Sequence, residues 1–507
     1  MTYNPNNNHV LKTQTPKMKT QRRLCSQICL LLGGVALIGI GISIFIFSEW
    51  IYEYILKDAL KFNPTSKPFN VWKTNDPPLI MEIYLFNWTN PEQIGNLSVK
   101  PEFEEVGPYR FKEIKEKVNI TWHDNYTISY RHRKLYFFDE ENSVRNLSDV
   151  ISTINVVPLS VSFKARNFGY WTKRMISMGL SSISSLHVTK TAAEILFDGY
   201  EEPILSTLSL IPVLNVQDRF GIFYGKNATV GTDGTFSMHF KNDEKFGSLL
   251  EWNYKNRSSF YKGHCNDIRG SSGEFYPIDR KRDKLVLYSS ELCKYAELEY
   301  VHDVNIKGVH GYKFTADNIF DNGTTRPENA CFCVGECIPS GVFNVSACRD
   351  DSPTFLSFPH FHAADPYYRN SLRGMRPDKS KHEFYITIEP KSGIVMDIEA
   401  GMQVNMLLQP VKYINLYENV PRIYVPMFYF TQRVNLTDEL ASNLRLIQNL
   451  PEYFNYTVLI LVGLGSICVL WGLCSCFCCS TSKDKLKISE KIQMNTHCEE
   501  VPLNEKL

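Results

Sequence analysis

Two long apolar runs interrupt a chain that otherwise mixes apolar and polar positions. Residues 28–47 form a stretch of twenty without a charge, and residues 456–477 form a second such stretch. About 20 helical residues cross the hydrocarbon core of a bilayer, which is roughly 30 Å thick. The pattern therefore predicts transmembrane helices at 28–47 and 456–477. A cleaved signal peptide is the alternative for the first run, but this run exceeds a usual h-region and no polar, small-residue cleavage site follows it.

Between these runs, apolar and polar residues alternate over many short segments, as they do in half-buried β-strands. The clearest cases are residues 78–94, 106–138 and 383–410. Turn residues separate them, with His-Asp-Asn at 123–125 and "EPKSG" at 389–393. A chain of this kind predicts a mainly β fold, as an antiparallel barrel or a sandwich.

Residues 157–200 break the alternating pattern and predict helices. Phe168, Trp171, Met175 and Met178 follow one another at three- and four-residue spacing, which places them on one helical stripe. One interpretation is a helical insert whose stripe packs on the sheet. The other is an exposed, methionine-containing surface for lipid or a protein partner.

Two further patterns mark helix starts. Thr191 and Glu194 have the spacing of a capping box ahead of "ILF". Thr437 is the predicted N-cap of a final helix over 436–450, with acidic residues in its first turn. That helix leads through Pro451 into the second apolar run.

The charge distribution orients the predicted spans. The overall net charge is only +1, so the sequence lacks the excess of basic residues that is typical of nucleic-acid-binding proteins. Positive residues concentrate on the cytoplasmic side of membrane helices, so residues 1–27 and the lysine-rich residues 478–507 are predicted to be cytoplasmic tails. The basic residues before the first run, with no acid among them, are Lys12, Lys17, Lys19, Arg22 and Arg23.

Glycosylation sequons support the same topology. All eleven Asn-x-Ser/Thr sequons lie between the two runs, so residues 48–455 are predicted to be an extracellular or lumenal, glycosylated ectodomain. Asn455 adjoins the second run, and we expect it to be unused. The predicted glycosylation sites are Asn87, Asn96, Asn119, Asn125, Asn146, Asn227, Asn256, Asn322, Asn344 and Asn435.

The cysteines fall into two chemically different groups. Four within residues 331–348 have a spacing that could hold zinc, but an oxidising compartment favours disulfides. Six ectodomain cysteines predict three disulfides, and the sequence alone leaves fifteen pairings open. These six are Cys265, Cys293, Cys331, Cys333, Cys337 and Cys348. Cysteines at the cytoplasmic membrane boundary are palmitoylation candidates, with plain reduced thiols as the alternative; they are Cys25, Cys29, Cys474, Cys476, Cys478 and Cys479.

Patterns of catalytic chemistry are missing from the sequence. There is no Gly-x-Ser-x-Gly elbow, Walker loop, His-Glu-x-x-His or dinucleotide-binding glycine pattern. His360 and His362 would share one side of an extended strand, but no third metal ligand is evident, and a structural role is favoured. The acid pairs at 104–105 and 350–351 are interpreted as solvated loop charges. The sequence predicts a protein that is not an enzyme and has no metal or other cofactor.

Several stretches are similar to those of the class B scavenger receptor family, and they occur in the family's order along nearly the whole chain. They are "GPYRF", "FDGYEEPIL", "FGIFYGKN", "HCNDIRGSSGEFYP", "YSSELCKY", "CFCVGECIPSGVFNVSAC" and "SFPHFHAADPYY". The resemblance implies an antiparallel β-barrel ectodomain with a hydrophobic tunnel and a helical, membrane-distal apex at 157–200, anchored by two transmembrane helices. It also implies the disulfides Cys265–Cys331, Cys293–Cys348 and Cys333–Cys337.

The resemblance further implies a cell-surface receptor. Its ligands would be lipids, fatty acids, sterols, lipoproteins or other apolar or polyanionic particles, and lipid would enter the bilayer through the tunnel. The alternative is a lysosomal or endosomal sorting or adhesion receptor whose apex binds a protein. The fatty acid translocase of this family has a lysine cluster at its apex, but the matching residues 179–187 contain no lysine. The expected ligand-binding residues are Phe168, Trp171, Lys173, Arg174, Met175 and Met178.

Overall fold

The computed structural model describes residues 16–74, 78–210 and 216–496, with side chains in the two outer helices only between residues 26 and 476. The side chains of the predicted tails therefore lie almost entirely outside the described residues. The chain divides into two compact units. One combines Met1–Asp58 with Leu446–Leu507, and the other is Ala59–Arg445.

Eight α-helices occur in the described residues. They are α1 (Pro16–Ala59), α2 (Lys67–Thr74), α3 (Val156–Ala165), α4 (Tyr170–Ile183), α5 (Pro203–Ser209), α6 (Pro366–Asn370), α7 (Lys379–His382) and α8 (Asp438–Thr496). By length and composition, Ser26–Ala59 of α1 and Asp438–Cys476 of α8 are apolar enough to cross a membrane. This pair of helices confirms the prediction of a two-pass membrane protein. Helix α8 continues through Pro451, so the predicted final helix and second span form one element.

The strands of the large unit form mainly one antiparallel sheet. They are β1 (Leu79–Trp88), β2 (Phe103–Trp122), β3 (Thr127–Phe138), β4 (Val150–Ile154), β5 (His187–Thr191), β6 (Tyr200–Glu201), β7 (Arg219–Phe220), β8 (Val230–His239), β9 (Leu249–Trp252), β10 (Lys284–Ser289), β11 (Lys294–Ile306), β12 (Val309–Thr315), β13 (Val342–Asn344), β14 (Thr354–Ser357), β15 (Tyr385–Ile388), β16 (Val395–Leu408) and β17 (Ile423–Val434).

Thirteen of these strands belong to a single, nearly closed, barrel-like sheet in the order β10-β11-β12-β15-β16-β17-β1-β2-β3-β8-β9, with β13 and β14 joined beside β16. Strand β16 pairs with β15 over 395–399 and with β14 over 403–406, so two short strands share one of its edges. The mainly β, antiparallel class predicted from the alternating pattern is confirmed.

The predicted turns connect the predicted strands. Strands β2 and β3 form one long hairpin across residues 123–126, with Trp122 opposite Ile128. The "EPKSG" turn joins β15 to β16, and Glu389 organises it by accepting hydrogen bonds from the backbone N–H and the hydroxyl of Ser392, each at 2.6 Å. Gly393 has φ +70°, and a Cβ there would lie 2.2 Å from the carbonyl oxygen of Tyr276, so this turn requires glycine.

Both predicted helix starts are confirmed in their hydrogen bonds. The backbone N–H of Glu194 donates to Thr191 Oγ1 at 3.2 Å, and Thr191 N–H donates back to the Glu194 carboxylate at 2.9 Å. This reciprocal pair is a capping box. The N–H of Leu440 donates to Thr437 Oγ1 at 3.3 Å, which makes Thr437 the N-cap of α8.

The prediction of helices throughout 157–200 is only partly correct. Helices α3 and α4 occupy the first two thirds, but His187–Thr191 is strand β5, paired antiparallel with β4. The five residues "HVTKT" include three β-branched side chains, which favour extended backbone. The capping box after β5 opens a short π-helical turn, Glu194–Asp198.

Candidate functional site

One face of residues 157–200, which we call the apex segment after the position that the resemblance implies, is anchored to the core of the large unit. Leu159 and Phe163 of α3 and Leu180 of α4 are at most 8% exposed and belong to the same apolar cluster as Phe86 and Tyr109 of the sheet. Because this face is buried, the opposite side of α4 is the one that can be exposed to solvent.

A polar contact fixes α4 further. Ser177 is buried, and its Oγ accepts a hydrogen bond from the backbone N–H of Asn415 at 2.9 Å. Asn415 begins a short 3₁₀ turn, Asn415–Tyr417, against which α4 packs. The orientation of the helix about its axis is therefore set by Ser177 and Leu180.

The opposite face of α4 exposes Trp171, Met175 and Met178 to solvent, whereas Phe168, predicted on the same helical stripe, is exposed in the turn that precedes the helix. Phe168, Trp171, Met175 and Met178 are 51%, 79%, 67% and 69% exposed. The helical insert does pack on the sheet, through Leu159, Phe163 and Leu180, but the stripe is not the packed face: it is exposed, as the second interpretation predicts. Large apolar side chains that are exposed together on a protein surface indicate a contact site for a partner, a membrane or a ligand. We call these four residues the apex stripe.

Cationic side chains flank the apex stripe. The guanidinium of Arg174 lies 5.7 Å from the ring centre of Tyr170 and 5.5 Å from that of Tyr413, and it donates to Asn415 Oδ1 at 3.0 Å. These contacts hold Arg174 in place beside the exposed residues. Lys173 is half-buried next to it. The surface thus combines apolar side chains with fixed positive charge, a combination that suits amphiphiles with anionic or zwitterionic heads.

The cysteine-rich segment forms disulfides. The bonds Cys265–Cys331, Cys293–Cys348 and Cys333–Cys337 are the pairs that the resemblance implies. Among the described residues, one group of side chains has metal-ligand spacing, His264 with Cys265 and Cys331. Both of its sulfurs are in a disulfide and are not thiolates, so the group does not have the donors of a zinc site.

The two histidines of "FPHFHAADP" differ in environment. His360 is buried, its Nε2 hydrogen-bonds to the carboxylate of Glu105, and its Nδ1 accepts the backbone N–H of Arg376 at 3.2 Å. His362 is only half-buried. The ring of His360 stacks on that of His382 with centroids 5.0 Å apart. His360 thus has the structural role favoured by its sequence.

Glu105 corrects one sequence interpretation. It lies in strand β2, not in a loop, and although its side chain is still 37% exposed, it is bonded to His360 and to the Tyr429 hydroxyl, which donates to it at 2.9 Å. Burial alone would raise the pKa of Glu105, but the hydrogen bond from His360 and the one from Tyr429 bring that pKa below its usual value. No local pattern in the sequence could have paired residues 105 and 360. Asp351, from the other acid pair, bridges to Arg166 of α3 at 3.3 Å.

The predicted glycosylation sites are not equally accessible. Asn322 is only 5% exposed, and Asn87 and Asn344 are half-buried. The other seven are exposed: Asn96, Asn119, Asn125, Asn146, Asn227, Asn256 and Asn435. Glycosylation of these asparagines stays a prediction.

The palmitoylation candidates divide in a similar way. Cys29 and Cys474 are exposed thiols, and Cys476 is half-buried. The side chains of Cys25, Cys478 and Cys479 lie outside the described residues. Palmitoylation also stays a prediction.

Comparison with known proteins gives consistent matches over most of the chain. The model of the CD36 family matches residues 31–476. Protein peste of Drosophila melanogaster is 35% identical over 470 residues, which cover 90% of this chain and 83% of that protein. Scavenger receptor class B member 1 of Rattus norvegicus is 30% identical, with 85% of each chain covered. Lysosome membrane protein 2 of Rattus norvegicus is 31% identical, covering 84% of this chain and 89% of that protein.

Proposed function

The chain belongs to the CD36 family, and we propose that it is a cell-surface receptor that captures lipids or lipoproteins at the apex stripe and passes lipid to the bilayer through a tunnel in its ectodomain. The proposed topology has cytoplasmic tails at 1–27 and 478–507, spans at 28–47 and 456–477, and the ectodomain at 48–455. The similarity to a scavenger receptor supports the receptor role.

The observation that carries the proposal is the exposure of the apex stripe. Three large apolar side chains on one face of α4, with Phe168 in the turn before it, are open to water at between 51% and 79%. Burying such groups against acyl chains recovers about 25 cal/mol per Å² of apolar surface removed from water. A lipoprotein surface or a free amphiphile offers that apolar partner, and Lys173 and Arg174 lie where its head groups would be.

Uptake by cells that express stripe variants tests the proposal. Met175→Glu and Trp171→Glu change exposed side chains, so both proteins should reach the cell surface, where uptake of labelled lipid or lipoprotein per surface molecule should fall. Leu180→Glu is the folding control, because Leu180 is 4% exposed and an unpaired buried charge is costly. We expect that variant to be retained inside the cell. Wild-type uptake by every stripe variant at the surface would refute capture at the stripe.

The second candidate is a sorting receptor whose apex binds a protein, and the similarity to a lysosome membrane protein favours it. An apolar stripe with flanking cations can also dock on a protein. Mass spectrometry of material co-purifying with the wild-type protein and with Trp171→Glu separates the two. Loss of lipids in the variant supports the lipid receptor, and loss of one stoichiometric protein with unchanged lipids supports the sorting receptor.

A further inference from the structure

The outer face of the sheet carries a row of polar side chains across strands β2, β3 and β8. Thr121 lies opposite Ser129, and Ser129 lies opposite Ser237 in the antiparallel register. Directly opposed residues project from the same face of a sheet, and the hydroxyls of Ser129 and Ser237 hydrogen-bond at 2.9 Å. The neighbouring Ile128 and Tyr130 project from the other face and are fully buried in the core. The three hydroxyls therefore lie on the outside of the sheet.

A bulge in β2 turns Asn119 toward this row. The register with β3 shifts between Val118 and Thr121, where one extra residue is inserted in β2. Asn119 has φ +53°, a left-handed conformation that asparagine adopts more readily than most residues. Bulges of this kind redirect a side chain, and Asn119 is exposed. Asn119 and Thr121 are the first and third residues of a glycosylation sequon, so the bulge places the whole sequon beside the polar row.

A tight turn after β9 lies at the other end of the row. Asn253 and Tyr254 have φ +53° and +60°, as the two central residues of a type I′ turn do. The turn is fastened to β8, because Asn253 N–H donates to the carbonyl of Thr235 at 2.8 Å and Thr235 N–H donates to Asn253 Oδ1 at 3.0 Å. Bulky residues seldom adopt positive φ, yet Tyr254 does so with its side chain 68% exposed. Neither turn chemistry nor core packing accounts for a tyrosine here.

A shallow recess of about 300 Å³ lies between the bulge and this turn. Its floor includes Thr235, which is 7% exposed and whose Oγ1 accepts a hydrogen bond from Arg131 Nε at 2.9 Å. Interaction with Arg131, followed by that with Thr235, lowers the pKa of the Tyr254 hydroxyl, so this phenol reaches across the recess. The lining residues include Asn119, Thr121, Ser129, Arg131, Thr235 and Tyr254.

This lining has the chemistry that recognises a sugar ring. A pyranose presents C–H groups on its faces and hydroxyl groups at its rim. The exposed ring of Tyr254 offers an apolar surface with a polar tip, while Ser129 and Arg131 offer a hydroxyl and a guanidinium for hydrogen bonds. Arg131 forms no ion pair with any residue that the structure describes. A volume of about 300 Å³ is at the lower limit of small-molecule sites, and a hydrocarbon chain would meet only one aromatic ring here.

We propose that this recess binds the first N-acetylglucosamine of the chain's own N-glycan at Asn119, and that the docked sugar bridges β2 to the turn after β9. The position of Asn119 argues for this occupant, because the asparagine that would carry the sugar itself lines the recess. A tethered ligand has a high effective concentration, so a shallow site with few contacts is sufficient. The docking requires the predicted lumenal ectodomain and is independent of the proposed lipid receptor function.

The glycan predicted at Asn256 is the rival occupant, because this residue follows Tyr254 closely in the sequence. Asn256 does not line the recess, and its backbone carbonyl accepts the N–H of Ile268 at 3.0 Å. That bond directs the chain after the turn toward residues 266–268 and away from β2. The recess is therefore assigned to the Asn119 glycan, and the experiment follows both sites.

Site-resolved removal of glycans from the folded, full-length protein in micelles tests the proposal. The protein is expressed in mammalian cells and treated with peptide:N-glycosidase F in heavy-oxygen water, which marks each freed asparagine for mass spectrometry. The enzyme must reach the bond between asparagine and the first sugar, so only the undocked fraction reacts. We expect release at Asn119 to be roughly tenfold slower than at the exposed Asn96, for a sugar that is docked about 90% of the time. After denaturation the two rates should be equal.

Removal of the tyrosine ring should abolish this protection. Tyr254→Gly keeps the turn, because Asn-Gly is a preferred type I′ pair, and release at Asn119 should rise to the rate at Asn96. Tyr126→Gly is the matched control, since Tyr126 is 50% exposed at φ +62° and does not line the recess. It should leave release at Asn119 as slow as in the wild type. Equal rates at Asn119 in the wild type and Tyr254→Gly would overturn the docking.

A stability measurement separates the sugar from the ring itself. Thr121→Val removes the sequon but keeps Asn119 and a β-branched side chain in the strand. With the glycan present, Tyr254→Gly should lower the midpoint of thermal unfolding. In the Thr121→Val background it should not, because the turn favours glycine. An equal loss in both backgrounds would show that the ring acts without the sugar and would overturn the bridge.

Two further outcomes concern the occupant. Glycopeptide mass spectrometry of the wild type should find Asn119 occupied, and an unmodified Asn119 would refute the proposal. Slow release at Asn256 that Tyr254→Gly accelerates, with fast release at Asn119 throughout, would assign the recess to the other glycan and overturn this assignment.

Discussion

Gly34 of α1 and Gly465 of α8 meet backbone to backbone in the terminal unit. A Cβ on Gly34 would lie 2.7 Å from the carbonyl oxygen of Gly465, and a Cβ on Gly465 would lie 2.7 Å from that of Gly34. Between apolar helices in lipid, close packing replaces the hydrophobic effect as the source of association. The two glycines therefore permit a contact that no other residue type would allow without displacement.

Replacing Gly34 with leucine should push the two helices apart. Overpacking a close contact costs roughly 1–3 kcal/mol, so we expect Gly34→Leu to lower the amount of protein at the cell surface. Gly33→Leu and Gly39→Leu are matched controls, because a Cβ at either position meets nothing within 4 Å. Surface biotinylation measures all three. Equal surface amounts for Gly34→Leu and Gly33→Leu would contradict a packing role for Gly34.

The long and short disulfides should differ in their contribution to stability. Cys265 and Cys331 are 66 residues apart, whereas Cys333 and Cys337 are 4 apart. In the chain-entropy account, the longer loop stabilises by about 2.5 kcal/mol more than the shorter one. We therefore expect Cys265→Ser with Cys331→Ser to lower the midpoint of urea unfolding more than the Cys333/Cys337 double serine variant. The reverse order would show that strain or local contacts, not loop length, dominate.

Local patterns in the sequence were enough for the spans, the β2–β3 hairpin and both helix caps. Each depends on residues a few positions apart, such as Thr191 with Glu194. Such signals survive folding because tertiary contacts reinforce them. The strand β5 was missed because five residues are too few to show a period next to two strong helices.

Contacts between distant residues were not predictable in the same way. The stripe of Phe168 and Met175 has the spacing of a core face, and only the burial of Ser177 and Leu180 on the other side shows that it faces solvent. The bond between Glu105 and His360 and the recess shared by Asn119 and Tyr254 join strands and loops over 100 residues apart. The family's fold, not spacing, anticipated the disulfide pairs.

Accessibility should decide which sequons are glycosylated. Asn322 is 5% exposed, and its Oδ1 is buried without a partner in the described chain, so we expect no glycan there. Asn96 and Asn256 are exposed and should be occupied. Glycopeptide mass spectrometry of protein from mammalian or insect cells measures each site. High occupancy at Asn322 would mean that this loop adopts another conformation when it is glycosylated in the secretory pathway.

His382 couples the stability of the ectodomain to pH. Its side chain is 5% exposed, and its Nδ1 accepts the backbone N–H of Asp378 at 3.0 Å. Burial, followed by the neighbouring charge of His360, lowers the pKa of His382 to about 4, although Glu105 and Asp378 act in the opposite direction. The folded protein therefore holds this ring neutral at pH values where an unfolded chain would protonate it.

Acidification should weaken the protein through His382. Above pH 6.5 the ring is neutral in both states and contributes no pH dependence. Between pH 6.5 and 4 only the unfolded chain binds the proton, so the free energy of unfolding falls by about 1.4 kcal/mol per pH unit at most. Below pH 4 the effect is complete.

We expect the wild type to lose on the order of 2 kcal/mol more than His382→Gln between pH 7 and pH 4.5, measured by urea unfolding of the full-length protein in micelles. His123→Gln, at an exposed turn, should behave as the wild type. Equal pH dependence in the wild type and His382→Gln would show that the buried ring is not the group that titrates.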